Sequence, residues 1–321
     1  MKSKALIKHL SDGAIHSGES LATKLGVSRT AVWKQVRKAM DDGVEIQTIR
    51  GKGYQMLSSV DLLDRERILA AVAPEHRDAI TLQVLDDVGS TNADVGRRMA
   101  QGEAGVPVTI ADCQTAGRGR RGRVWTSPRG ENLYLSMGIT LQGGFSRLDG
   151  LSLVLGVAVA NALEGLGAGG LGLKWPNDIF VSDGKLGGIL VELQGELQEG
   201  VVQVIAGFGI NVHARHLGDV DQPWSSLARA YPAVQWCRND IAGQLISAVQ
   251  DALQVFSEEG FPAFRQTWQA RDVFDGKMVE ARGGGVVGAA AGIDDQGNYL
   301  VRVGQEIVPV RAGEISLRMV S

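Results

Sequence analysis

The 321-residue chain is short of several things. It has only two cysteines, Cys113 and Cys237, too few for a disulfide framework, so a reducing cytoplasm is the expected compartment. No run of about 18 apolar residues occurs, which excludes a hydrophobic membrane-spanning helix. The opening stretch MKSKALIKHLSDG is too polar after Leu6 to read as a signal peptide. There is no G-x-x-x-x-G-K-[ST], and no βαβ repeat opens on a G-x-G-x-x-G turn. Any nucleotide is therefore held without a P-loop or a dinucleotide-binding fingerprint. His213 and His216 stand in H-x-x-H spacing with no further ligand cluster, so no metal site built from protein histidines is expected.

What is present is an ordinary globular composition, 44% hydrophobic and 21% charged, with room for two or three domains. The net charge of −3 is unevenly spread. Residues 1–56 hold ten Lys/Arg and five Asp/Glu, while the rest hold 23 against 31. A basic head on an acidic body predicts that the head meets a polyanion.

In that head, residues 18–29 read as a helix, a turn at Gly26 and the start of a second helix capped by Ser28. Ser20 is the expected cap of the first helix, with Leu21, Ala22 and Leu25 on its buried side. In the second, Arg29–Met40, Val32, Val36 and Ala39 recur at i, i+4, i+7 and face inward. Arg29, Thr30, Trp33, Lys34 and Arg37 are left toward solvent. Strands Val44–Ile49 and Tyr54–Leu57 flank a basic glycine tip at Arg50–Gly53. The pattern predicts a winged helix-turn-helix over residues 1–60. Ser28, Arg29, Thr30, Trp33, Lys34 and Arg37 would face a major groove, and Lys52 would bring the wing tip to phosphate or minor groove. A small helical protein-interaction domain is the alternative, and Trp33 has an alternative place against the wing. Asp61–Arg67 then reads as a short helical lead into the body.

The body, residues 65–270, is organised around residues 117–128, GRGRRGRVWTSP. Four arginines and three glycines within seven residues make neither a core strand nor a stable helix. The segment is a flexible loop dense in fixed positive charge and planar guanidinium forks. A solvated basic surface or a nucleic-acid tether would have the same composition. The loop, however, runs between predicted strands Val108–Ala111 and Asn132–Gly138, and its charge opposes that of its domain. Both features favour an anion-binding lid. Upstream, Ile80–Leu85 alternates as a strand, and Ser90, Thr91 and Asn92 can cap helix 92–101 or offer polar groups to a ligand.

Gly150–Leu166 is apolar nearly all round and predicts a buried helix. Strands follow at Leu171–Trp175, Ile179–Val181, Gly187–Leu193, Val201–Ile205 and Gly207–Val212. Glycines beside these strands allow a ligand close to the backbone. Lys185, just ahead of the apolar run 189–193, taken singly is a solvated surface group. Asn177 and Asn211 suit a purine edge or a turn equally. Helices Ile241–Gly260 and Phe261–Gln269 close the body, which reads as an α+β mixed sheet. In the tail, residues 271–321, five short strands with a hairpin turn at Asp294–Asn298 suggest a small SH3-like β-barrel.

An Arg/Gly lid, a nearby lysine and glycine-lined strands suit the joining of two anions, as when a carboxylate is activated by ATP. Nothing in that chemistry names the acid. In their order, Gly117–Pro128, KWPND at 174–178, GKLGGILVE at 184–192 and GFGIN at 207–211 resemble the biotin–protein ligase family. With the winged helix in front, the chain resembles the bifunctional members that also repress the biotin operon, over essentially its whole length. Val124 in the lid and the Gly283–Gly285 and Ala289–Ala291 runs in the tail depart from what the family leads one to expect.

The resemblance implies a two-step reaction. Biotin and Mg²⁺–ATP give biotinoyl-5′-AMP and pyrophosphate, and biotin then passes to one lysine of a biotin carboxyl carrier protein. It implies Ser90, Thr91 and Gln114 against the ureido ring of biotin and neighbouring groups, with Asn92 also in the biotin site. Gly117, Arg118, Gly119, Arg120, Lys185 and Gly188 complete the biotin site, with Lys185, Arg118 and Arg120 catalytic. Arg120, Arg121, Arg123, Trp125, Asn177, Asn211 and Trp224 would hold the nucleotide, with Arg318 a further contact from the tail. Biotinoyl-AMP would act as corepressor, favouring a homodimer through sheet edges near Gly187–Leu193 and operator binding by residues 1–60. A ligand-sensing regulator without ligase activity, and a ligase for lipoate or another acid, are the alternatives.

Overall fold

The computed structural model describes residues 4–41, 44–57, 61–144, 148–182, 184–195, 200–217, 220, 222–282, 285–311 and 316–319. The chain divides into two compact units, Met1–Leu62 and Leu63–Ser321.

The first unit contains α1 (Lys4–Leu10), α2 (Gly18–Leu25), α3 (Arg29–Asp41) and the hairpin β1 (Ile46–Ile49) and β2 (Gly53–Met56). Leu6, Leu10, Leu21, Val32, Val36, Ala39, Ile46 and Met56 form its core. The inward stripe of α3 is the one its spacing predicts. Helix α1 is an addition to the sequence reading, its buried Leu6, Ile7 and Leu10 interrupted in the sequence by the exposed Lys8 and by His9. Ser17, not Ser20, caps α2, because the helix begins at Gly18 and Ser17 Oγ accepts the Ser20 N–H at 3.0 Å. Gly26 ends α2 in the left-handed conformation. Ser28 Oγ accepts the Ala31 N–H at 3.2 Å and so caps α3. Trp33 is 49% exposed, with the Arg37 guanidinium 5.2 Å above its ring, and is not buried against the hairpin.

The second unit begins with α4 (Arg65–Ala71), which starts late because the Asp64 carboxylate accepts the Glu66 and Arg67 N–H groups as its cap. Next come α5 (Pro74–Arg77), β3 (Ile80–Leu85), α6 (Thr91–Ala100), β4 (Val106–Ala111) and β5 (Leu133–Gln142). They are followed by α7 (Leu151–Gly165), β6 (Gly172–Lys174), β7 (Asp178–Val181), β8 (Gly184–Leu193) and β9 (Val201–Ile210). The two strands expected at 201–205 and 207–212 are one, since its glycines keep extended geometry and pair without a break to β5 and β8. The seven-stranded sheet has order β3-β4-β5-β9-β8-β7-β6, parallel between β3 and β4 and antiparallel elsewhere. Gly187–Leu193 is therefore not on an edge strand. Its pairing with β7 stops at Gly188, while that with β9 continues to Leu193.

Helix α7 is buried on nearly every side and packs with α9 (Arg238–Glu259); α8 (Leu227–Ala230) and α10 (Pro262–Gln269) complete the helices. Helix α6 lies against β4, β5 and β9. Its Arg98, 5% exposed, reaches Val108 O at 2.8 Å and Glu103 Oε1 at 2.6 Å, tying helix to sheet.

The tail holds β10 (Met278–Arg282), β11 (Val286–Ile293), β12 (Tyr299–Val303), β13 (Glu306–Val310) and β14 (Ser316–Met319) in the antiparallel order β13-β12-β11-β10-β14. Among the described residues this sheet is open, with no pairing of β13 to β14 that would close a barrel. Tyr299 fastens it to the body. Its ring meets Trp175, Trp268 and Phe274 with centroids 5.9–6.4 Å apart, and its hydroxyl donates to Asp272 Oδ2 at 2.6 Å. Buried beside that hydroxyl, the Asp272 carboxyl is pushed above the usual range.

Candidate active site

Strands β8 and β9 present a face with few side chains. Gly188 pairs with Gly209 and Leu190 with Gly207, while the intervening Ile189 and Phe208 are buried. Over this face runs the 117–128 loop, containing one 3-10 turn at Arg120–Gly122. The loop closes on itself through the Trp125 N–H to Gly117 O at 2.9 Å and the Gly119 N–H to Arg123 O at 2.8 Å. A Cβ at Gly117 would stand 2.6 Å from Trp125 O, so the neck requires glycine. Trp125 lays its indole on Gly209, where a Cβ would come within 2.5 Å of the ring. Its buried Nε1–H lacks an acceptor in the structure. Loop, strands and the end of the tail enclose a cavity of about 480 Å³, in the range of small-molecule sites.

One end of the cavity is polar, built of hydroxyl and amide groups. The Thr91 N–H donates to Gln114 Oε1 at 2.9 Å, and Gln114 Nε2 donates to Ser127 Oγ at 3.0 Å. Ser90 occupies the N-cap position of α6, yet its side chain makes no capping bond and lines the cavity. Asn92 also lines it, with its amide engaged by Glu192 and Ser136.

The other end is charged. Arg120, Arg121, Arg123, Lys174, Lys185 and Arg318 gather there around Asp178, the one carboxylate among the described lining residues, while Arg118 lines the cavity nearer Asn92, 3.7 Å from Glu192. Lys185 lies inside β8 and not ahead of it, so its backbone is held by sheet pairing. Its Nζ is 2.8 Å from Asp178 Oδ1 and 5.4 Å from the centroid of Trp125. Lys174 Nζ lies near the rings of Phe180 and Phe274, at 5.1 and 5.6 Å. Burial pulls its pKa below the usual lysine value, and the nearby Lys185 and Arg318 add to that against Asp178. Burial likewise lowers Arg120. Cations drawn together and partly stripped of water are poised to gain from an incoming polyanion.

All the residues expected to bind biotin or nucleotide line this cavity except Gly117, which shapes the neck of the loop. Several are engaged by the protein itself. Asn177 accepts from Arg120 Nη1 at 3.1 Å and donates to Ile189 O at 2.7 Å, joining loop to sheet. Asn211 donates to Ser225 O at 3.0 Å and helps to hold the segment beside Lys185. Trp224 sits in that segment, with the Arg229 guanidinium 4.6 Å from its ring, and pairs its backbone region with Lys185. Sequence reasoning assigned no role to Lys174, Asp178 or Phe274. The charged ends of the KWPND motif were the signal available for the first two; for Phe274 there was none.

In the first unit, Ser28, Arg29, Thr30, Trp33, Lys34 and Arg37 are exposed on α3 or at its cap, and Lys52 is exposed at the hairpin tip. The geometry gives a cationic polar helix face and a cationic turn.

Comparison with known proteins agrees with both units. Residues 88–211 match the biotin/lipoate A/B protein ligase family, residues 2–55 an HTH domain, and residues 276–318 the biotin protein ligase C-terminal domain. The bifunctional ligase/repressor BirA of Salmonella typhimurium is 39% identical over 317 residues, covering 98% of this chain and 96% of the relative. BirA of Escherichia coli matches with the same identity and coverage. The biotin protein ligase of Aquifex aeolicus, solved in complex with biotin and ATP, aligns with a TM-score of 0.65 at 30% identity. The alignment covers 75% of this chain and 99% of that one. Identity of this extent across nearly the full length places the chain in the biotin protein ligase family, among the members that carry an N-terminal helix-turn-helix domain.

Proposed function

We propose that the chain is a cytoplasmic biotin–protein ligase that also represses transcription when loaded with its own intermediate. The observation that carries the ligase half is the cavity's division into an end of hydroxyl and amide groups and an end where six cations gather around one carboxylate. A ring with amide-like groups suits the Thr91–Gln114 end, whereas a carboxylate and a triphosphate suit the other.

In the first step a biotin carboxylate oxygen attacks the α-phosphorus of ATP, and the bond to the pyrophosphate leaving group breaks. Lys185, set between Asp178 and Trp125, neutralises charge where the two anions meet. Arg118, Arg120 and Arg123 close over the product, with Arg120 anchored by Asn177. Lys174 and Arg318 would hold the departing phosphates, and the loop excludes water that would hydrolyse the mixed anhydride. Mg²⁺ would arrive with the nucleotide. One carboxylate, Asp178, beside a polar Asn177 fits a metal bound chiefly by phosphates and water and not by a protein cage. Among the described residues no group of three acidic, histidine or cysteine side chains forms such a cage. In the second step a carrier lysine amine attacks the acyl carbon and AMP leaves.

The repressor half is supported by the exposed cationic face of α3 and the Lys52 tip, which suit operator DNA. Biotinoyl-AMP would promote a homodimer. The segment Leu190–Leu193, paired to β9 but beyond the reach of β7, is the stretch we assign to it. We also assign three domains, 1–60, 65–270 and 271–321, and an SH3-like character to the last. Its short antiparallel strands and the irregularity in β11 between Ala290 and Ile293 support that reading.

Incubation with biotin, ATP and a biotin carboxyl carrier domain tests the activity. ATP-dependent labelling of one carrier lysine, read by intact mass, is the expected result. An unlabelled carrier alongside ligand-dependent operator binding would make the chain a sensor only. Preferential adenylation of lipoate in competition would reassign the acid, a reading to which the mixed biotin/lipoate scope of the matching family gives standing.

A further inference from the structure

Glu192 does not line the cavity, yet it is joined to both of its walls. It lies on β8 opposite Ile205, past the point where pairing with β7 ends. Its Oε2 accepts from Asn92 Nδ2 at 2.7 Å, and its Oε1 stands 3.7 Å from Arg118 Nη2. Asn92 is 5% exposed, and its Oδ1 is 2.6 Å from Ser136 Oγ. An ionised carboxylate only accepts, so the amide turns its NH₂ to Glu192 and its oxygen to the serine hydroxyl. Gly207 leaves the space for this, because a Cβ there would meet Asn92 Oδ1 at 2.1 Å.

The two ends of this bridge are unequal. The bond to Asn92 is short and lies on the floor beneath α6. The contact to Arg118 is longer than a hydrogen bond, and that side chain is 53% exposed, the mark of a weak and exchangeable pair. Arg118 is the loop's entry arginine, just past the neck at Gly117. An incoming carboxylate or phosphate would compete with Glu192 for the same guanidinium fork.

We propose that Glu192 is a positioning residue: the resting counter-ion of Arg118, which keeps that arginine over the cavity floor until an anionic ligand takes the guanidinium from it. The identity of the ligand rests on the ligase reading, whereas the contact itself does not. Neutralising Glu192 while preserving its acceptor should favour anionic ligands and leave a neutral analogue unaffected.

Glu192→Gln in the full chain is the test, since a glutamine oxygen still serves Asn92. Without ligand, trypsin should cut after Arg118–Arg123 about two- to fivefold faster than in wild type, the range open to an exposed pair; equal rates would overturn the proposal. In calorimetric titration, biotin should bind about two- to fivefold tighter and biotinamide, which lacks the carboxylate, should bind unchanged. An equal effect on both ligands would mean a merely structural role and would also overturn it. If wild type binds neither ligand, the ligase reading fails while the cleavage rates still decide the role of Glu192. If Glu192→Gln unfolds, Arg118→Gln breaks the same pair from the loop, and unchanged cleavage after Arg123 in that variant overturns the proposal.

Discussion

Lys174 is a residue whose chemistry depends wholly on its surroundings. Its ammonium lies against Phe180 and Phe274, with Lys185 and Arg318 near enough to lower its pKa further once burial has begun to do so. A cation held in this way gains most when a polyanion arrives. Lys174→Ala should reduce kcat/KM for ATP by about 10²-fold, read by pyrophosphate release, with Lys174→Arg partly retaining activity. Gly209 acts by having no side chain. Because a Cβ would overlap the Trp125 ring at 2.5 Å, Gly209→Ala should displace the indole from β9. The expected outcome is a red-shifted tryptophan emission and biotin binding weakened by about tenfold or more, with thermal unfolding little changed. An unshifted spectrum would show that the ring sits elsewhere.

At the scale of elements, the loop is held at its base as well as at its neck. Arg129, just after the loop, donates to Asp86 O at 3.0 Å and pairs with Asp87 and Asp112, and Asp112 also meets the fully buried Arg238 at 2.9 Å. Burial alone would lower the pKa of Arg129, but the two aspartates more than offset it. Arg129→Ala should raise KM for biotin several-fold while kcat falls less, since the loop would close from a looser base. Helix α6 is tied by Arg98 and Glu103, whose carboxyl that guanidinium holds down at about 2, from 4.5. A depressed carboxyl adds stability that is complete above about 4.5 and lost as pH falls through about 2. The midpoint of urea unfolding should therefore drop across that window, and Glu103→Gln should flatten the drop.

Much of this level was legible in the sequence. The inward stripe of α3, the all-round apolarity of α7 and the Ile80–Leu85 alternation stand where periodicity put them. What escaped was decided by contacts distant in the chain. Helix α1 is short and its apolar residues are interrupted by Lys8 and His9. The continuity of β9 depends on partners on both sides, and the Asn92–Glu192 bond spans a separation no local pattern encodes. The cavity's cations were visible as a list, but their convergence was not, because Arg318 and Phe274 come from the tail.

For the whole molecule, one unit offers a cationic helix face and the other a cavity lined by cations, and in the proposed function biotinoyl-AMP couples them. Operator binding should weaken steeply with salt and strengthen when biotin and ATP are both present; Arg37→Ala and Lys52→Ala should each weaken it while carrier labelling stays at the wild-type rate. Binding indifferent to ligand would separate the two units functionally. The central claim, that the cavity joins a biotin carboxylate to the α-phosphate of ATP, is tested most directly by exchange of labelled pyrophosphate into ATP. Exchange should require biotin and be lost in Lys185→Ala without a change in thermal unfolding. Exchange that proceeds without biotin, or that survives in Lys185→Ala, would contradict it.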